Sequence, residues 1–116
     1  MKAIDAQKKI LELATEDSYG IWEIIWGLRD LYAASSEAEL RSIAEKVIRE
    51  MLAKGWIRLL LRRGAMGEEI EVRPDELDSA LSNSNSWKEP AANSFQLLLG
   101  ITQKGEQVYL SGKETP

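Results

Sequence analysis

The sequence predicts an α+β domain: three N-terminal helices, a β-hairpin carrying an inserted short helix, a return strand and a short C-terminal helix. Three observations carry that expectation. Apolar residues recur at intervals of three and four from Ile4 to Leu52. The pattern changes to a strand-like run directly after Lys54-Gly55, in "WIRLLLRR". A further apolar run, "FQLLLGI", stands beyond a polar and acidic stretch. A length of 116 residues fits a single domain over 1–116.

The first helix spans 3–15, with Ile4, Ile10, Leu11 and Leu13 on one stripe and Lys8, Lys9 and Glu12 outside it. "TEDSYG" breaks the pattern with turn-forming residues. A second helix is expected over 19–33, where Ile21, Trp22, Ile24, Ile25, Leu28, Leu31 and Tyr32 make a broad apolar face. Trp22 and Trp26 fall one turn apart and should lie side by side. Gly27 inside this helix costs about 1 kcal/mol against alanine and suggests close approach of another backbone.

Ser36 is a good N-cap for the third helix, and Glu39 three residues on completes a capping box. Leu40, Ile43, Ala44, Val47, Ile48, Met51 and Leu52 form its inner face, and Gly55 stops it. In the strand that follows, Trp56, Arg58, Leu60 and Arg62 alternate with Ile57, Leu59, Leu61 and Arg63. "EEIEVR" returns as its hairpin partner. "PDELDSALSN" is a short helix opened by Pro74. "SNSNSWKEPAANS" is a polar loop, and "FQLLLGI" is the return strand. Thr102 is an N-cap for a last helical turn or two, and 111–116 is a frayed, flexible tail.

Three helices, a hairpin and a return strand is the order of a winged-helix domain. "VIREMLAKGWIRLL" (47–60) resembles the segment of winged-helix regulators where the third helix ends in Lys-Gly and leads into the wing strand. "LLLGITQKGEQVYL" (97–110) looks like their return strand and the Thr-x-x-Gly signature opening the next helix. Together these resemble the MarR and PadR regulator families, over 4–63 in pattern and 95–110 in motif. The sequence departs from them in an enlarged wing region, 64–93, that carries its own helix. It also lacks their long C-terminal dimerisation helix after Leu110. The resemblance implies a transcriptional regulator, a homodimer that reads double-stranded DNA with helix 36–54 and the hairpin as wing.

Inventory excludes several other classes. Histidine and cysteine are both absent, which removes the commonest general base, the thiolate nucleophile and the usual transition-metal ligands. The adjacent carboxylates match no calcium loop, and "RRGAMGEE" lacks phosphate-loop spacing. No enzyme, no metal and no cofactor is expected. The N-terminus lacks a signal-peptide core and no apolar run approaches a membrane span, so a cytoplasmic protein without a membrane partner is the expectation.

The net charge of −4 disfavours generic nucleic-acid affinity, but the charge is unevenly spread. Residues 36–63 hold 7 basic and 4 acidic side chains, whereas 64–92 hold 2 and 7. Candidate DNA contacts on the third helix are Arg41, Ser42, Glu45, Lys46 and Arg49, beside Glu37, with Arg58, Arg62 and Arg63 available for phosphates. The competing expectation is a solvated face: Arg41 and Glu45, and Lys46 and Glu50, are four apart and compensate one another. Glu68, Glu69 and Glu71 likewise stand opposite the strand arginines, and a salt-bridged hairpin is preferred to a phosphate clamp.

Trp22 and Trp56 are expected in the core. Trp26, at the edge of its helix face, is a candidate dimer or partner surface, and Trp87 is a loop anchor or a contact residue. Two functions follow. The first is the DNA-binding regulator. The second is a protein-binding winged-helix module, antitoxin-, immunity- or adaptor-like, that presents its acidic 64–92 region to a basic partner and does not bind DNA.

Overall fold

The computed structural model describes residues 3–16, 19–63, 67–88 and 95–111. Helix α1 (Ala3–Glu16) leads to a two-residue strand β1 (Tyr19–Gly20), then α2 (Ile21–Arg29) and α3 (Glu37–Ala53). Strand β2 (Ile57–Arg63) pairs with a short β3 (Ile70–Glu71). A 3₁₀ turn (Pro74–Glu76), helix α4 (Leu77–Ser82) and a second 3₁₀ turn (Ser84–Trp87) follow. Strand β4 (Phe95–Ile101) and helix α5 (Gln103–Ser111) complete the described chain. The sheet is antiparallel, in the order β1-β4-β2-β3. The architecture is therefore α+β, as the periodicities predict. The tail 112–116 lies outside the described residues, as do 64–66 and 89–94 of the enlarged region.

Helix α2 is shorter at both ends than its apolar pattern suggests. Tyr19 and Gly20 pair with Leu99 and Leu98 of β4, so sheet hydrogen bonding claims them before the helix begins. At the other end Tyr32 turns back into the core while Leu31 is left exposed. Gly27 does meet a close neighbour, but a Cβ there would approach Leu13 Cδ1 at 2.8 Å, so it accommodates a side chain of α1 rather than a backbone. Trp22 is half-buried rather than in the core, and its ring meets Trp26 edge-on at 5.0 Å between centroids.

Helix α3 has both predicted ends. Ser36 Oγ accepts from the Glu39 backbone N–H at 3.2 Å, and the Ser36 N–H donates to Glu39 Oε1 at 2.9 Å. At the C-terminus Gly55 adopts φ 76°, a region closed to most side chains. That turn lets the Gly55 N–H reach the Leu52 carbonyl at 3.1 Å and the Trp56 N–H reach Met51 at 3.0 Å, the two bonds of a Schellman cap. Trp56 and Met51 then bury together beneath the cap.

The core joins all layers. Ile10 of α1, Ile24 and Leu28 of α2, and Leu40, Val47 and Ile48 of α3 pack against Ile57, Leu59, Leu97 and Leu99 of the sheet. Leu81 and Trp87 enter the same cluster, so the described part of the segment between the strands is anchored in the core through these two side chains.

Two distant sequence motifs prove to be halves of one contact. The Thr102 N–H donates to the Trp56 carbonyl at 3.0 Å. Its hydroxyl lies 2.6 Å from the Gly55 carbonyl oxygen and 2.9 Å from that of Trp56, and accepts from the Gly105 N–H at 3.0 Å. A Cβ on residue 105 would overlap the Trp56 carbonyl oxygen and stand 2.9 Å from Ile101 Cγ1. The spacing of Thr and Gly is thus the spacing that lets α5 begin against the turn after α3. Helix α5 itself runs through Ser111, further than the one or two turns expected.

Gly105→Ala should destabilise the protein by about 2 kcal/mol or more through this backbone clash, read as a lower urea midpoint. The capping hydrogen bonds from Ser36 hold the Glu39 carboxyl below its ordinary range. A depressed folded pKa contributes stability above the unfolded carboxyl pKa, and that contribution is lost as pH falls through the folded value. Glu39→Gln should therefore lower the melting temperature at neutral pH and cease to do so once the carboxyl is protonated in the folded and the unfolded chain alike.

Candidate functional site

Positions 41, 45 and 49 follow one another at single-turn spacing along α3 and share a flank. On that flank Glu45 stands between two arginines, 3.8 Å from Arg41 and 3.1 Å from Arg49. The segment 74–88 lies against it. Arg49 Nη1 meets Asp78 Oδ1 at 2.8 Å, and Nη2 donates to Ser82 Oγ at 3.1 Å. Arg41 Nη2 reaches the Ser82 carbonyl at 3.5 Å, and its guanidinium lies over the Trp87 ring, 5.6 Å from the centroid. Partial burial opposes the Arg49 charge, but hydrogen bonds to Asp78 and Glu45 outweigh it and raise the guanidinium pKa above its already high ordinary value.

The local sequence explains how the segment holds this position. Pro74 fixes the first turn and helix α4 places Leu81 inward, 1% exposed. Trp87 then folds back so that its indole N–H donates to the Leu81 carbonyl at 2.9 Å. A buried indole needs such an acceptor, and here the same residue supplies both apolar contact and backbone oxygen. Trp87 is thus the anchor anticipated for a loop tryptophan, and it also presents one ring face to Arg41.

The candidate DNA contacts separate accordingly. Arg41, Glu45 and Arg49 are engaged with one another and with 74–88. Glu37 pairs with Arg29 at 2.9 Å. Ser42 and Lys46 are exposed on the outside of α3. Arg58 lies 3.8 Å from Glu71 and Arg62 lies 3.3 Å from Glu69, the salt-bridged hairpin preferred from the sequence. The side chain of Arg63 lies outside the described residues. The same pairs draw down the acidic stretch: Glu69, Glu71 and Asp78 meet arginines from elsewhere, and Asp75 and Glu76 meet Arg73. The acidic region is not a bare negative field.

Beside this flank lies an open groove of about 730 Å³ between α2, α3 and the Trp87 turn. Trp22, Ile25 and Trp26 form one wall, and Glu37, Ala38, Arg41, Ser42 and Glu45 form the second. Trp87 and Lys88 close the third side. Trp26 is 53% exposed at its mouth. The two tryptophans singled out from the sequence therefore line one site. Sequence reasoning missed Asp78, Ser82, Trp22 and Lys88 as members of this region. Asp78 meets Arg49 across a sequence separation of 29, and no local pattern encodes such a contact.

Comparison with known proteins finds no matching family model, no similar curated protein and no similar solved structure. Among the described residues no helix is long and apolar enough to cross a membrane, and no cluster of acidic, histidine or cysteine side chains could hold a metal ion.

If Trp87 is the anchor of the segment and Asp78 only its surface tie, their truncations must differ in cost. Trp87→Ala should cost about 3 kcal/mol in chemical denaturation. Asp78→Ala, at a pair whose acid is 83% exposed, should cost no more than about 1 kcal/mol.

Proposed function

We propose that this chain is a protein-binding module of winged-helix architecture and that α3 does not read DNA. The element order supports the architecture: α1, a short strand, α2 and α3, then two long strands with the short strand added beside the last. The enlarged wing region is folded back along α3 instead of extending away from it. One observation carries the functional reading. Two of the three basic candidates on the outer side of α3 are occupied by the protein's own 74–88 segment, while a tryptophan-lined groove beside them stays open.

The physical argument is one of competition. Groove reading by a helix needs side chains free to meet base edges, and phosphate contacts need cations whose charge is not already met. Freeing Arg49 from Asp78, Glu45 and Ser82 forfeits several charge-assisted hydrogen bonds before any DNA contact forms. Trp26 meets the Trp22 ring and stays 53% exposed. Half-exposed tryptophan beside a cavity is the composition of interface hot spots rather than of ordinary surface.

The DNA-binding regulator is the second reading. It draws on the exposure of Ser42 and Lys46, and on Arg58, whose side chain is 53% exposed. Heparin affinity separates the two. The protein should pass through a heparin column at low salt, and Lys46→Glu should leave its elution unchanged. Retention that weakens steadily with added salt, and is abolished by Lys46→Glu, would restore the regulator.

A further inference from the structure

We propose that the groove beside Trp26 takes a proline-rich segment of a partner protein, held as a polyproline II helix. This rests on the groove being the protein-binding surface, and it gives the partner a chemistry.

The polar groups of the lining decide what can enter. Both carboxylates are already met: Glu45 by Arg41 and Arg49, and Glu37 by Arg29 at 2.9 Å. The groups left over are donors. The Trp26 indole N–H, the Ser42 hydroxyl and the Lys88 ammonium donate to no acceptor among the described residues, and all three side chains are exposed. A complementary partner therefore brings carbonyl oxygens, with few donors or cations of its own. An α-helix spends most of its carbonyls on its own backbone. An extended strand brings N–H and C=O in equal number and seeks an open sheet edge, whereas these walls are two helices and a 3₁₀ turn. A polyproline II segment makes no internal hydrogen bonds, and each proline carries a carbonyl without an N–H. Its charge and hydrogen-bonding pattern are the complement of this lining.

The apolar surface and the dimensions suit the same occupant. Trp22, Trp26 and Trp87 all line the groove, and aromatic-lined grooves are the surfaces on which proline rings pack. The Trp22 and Trp26 rings stand at 83° to each other, so together they present two differently oriented walls. Along α3 the lining runs from Glu37 to Glu45, a length of about 12 Å at about 1.5 Å per residue. About four residues of polyproline II span that length, at about 3.1 Å each. With three residues per turn, the first and fourth fall on the same side, the spacing of a P-x-x-P ligand.

Both partners meet already ordered. Trp26 is propped by the edge of Trp22, whose indole N–H lies 3.4 Å from Gln96 Oε1, and Trp87 is held by Leu81 and Arg41. A polyproline II segment is preformed as well, so little freedom is lost on docking and a contact of modest size suffices.

Titration with decaproline, acetylated and amidated so that it carries no charge, tests the proposal. The readout is the set of indole N–H signals in a proton–nitrogen NMR spectrum, with that of Trp26 identified by its loss in Trp26→Phe. The Trp26 signal should move saturably, with half-saturation below about 1 mM. A capped glycine–serine peptide of the same length should bind at least about tenfold more weakly, because it must be ordered on docking. Trp26→Ala, checked for an unchanged circular dichroism spectrum and followed at the Trp87 signal, should weaken decaproline binding about tenfold or more. Trp26→Phe keeps a ring but loses the donor, and should fall between wild type and Trp26→Ala. The absence of a saturable shift, equal binding of the glycine–serine peptide, or an affinity untouched by Trp26→Ala overturns the proline-rich partner. A silent decaproline titration on protein that passes through heparin removes this occupant alone and leaves a protein partner of different chemistry. Retention on heparin that Lys46→Glu abolishes removes the protein-binding reading itself.

Discussion

A single guanidinium ties the middle of α3 to the segment that separates the two long strands. Arg49 holds Glu45 on its own helix and Asp78 and Ser82 on the facing one, with contacts from 2.8 to 3.1 Å. Two turns away Arg41 lies over Trp87, and Trp87 is bonded to the carbonyl of Leu81. Individually the exposed ion pairs are weak. They are effective here because Leu81 and Trp87 supply the burial, and the polar contacts then fix register along α3. The consequence is a helix whose basic flank is partly covered by the chain's own 74–88 segment. Everything proposed about function follows from that closure and from the groove it leaves at its edge.

The second constraint is the junction between α3, β2 and α5. The left-handed Gly55 ends the helix and turns Trp56 into the core, and the Trp56 carbonyl then accepts from Thr102. Gly105 is the residue that lets α5 begin in contact with that carbonyl. Through this junction the two ends of the hairpin are held at one place, and Ile57↔Ile101 starts the β2–β4 register beside it. With the register set there, Leu59 and Leu61 fall opposite Leu99 and Leu97 and face the helices together. The 74–88 segment is returned to α3 by strands whose alignment is already decided.

Local chemistry made most of the fold legible. The capping box at Ser36 and Glu39, the glycine stop at 55 and the alternation in "WIRLLLRR" each depend on neighbours in sequence, and each appears where expected. The start of α2 was not legible, because Tyr19 and Gly20 are drawn into a sheet by residues nearly eighty positions away. The site was legible in part for the same reason. Trp26 is apolar at the margin of a helical face, and Trp87 is an aromatic stranded in polar chain, and both signals are local. That the two line one groove, and that Asp78 and Ser82 meet α3, are tertiary facts without a sequence signature.

The closure of 74–88 on α3 is tested most directly by native-state amide hydrogen exchange. If that segment is part of the cooperative core, the amides of Ala80, Leu81 and Ser82 should open with α3, at free energies approaching that of global unfolding. Exchange there far faster than in α3, with Val47 and Ile48 still protected, would describe a loose flap over an accessible arginine flank, and would contradict the account.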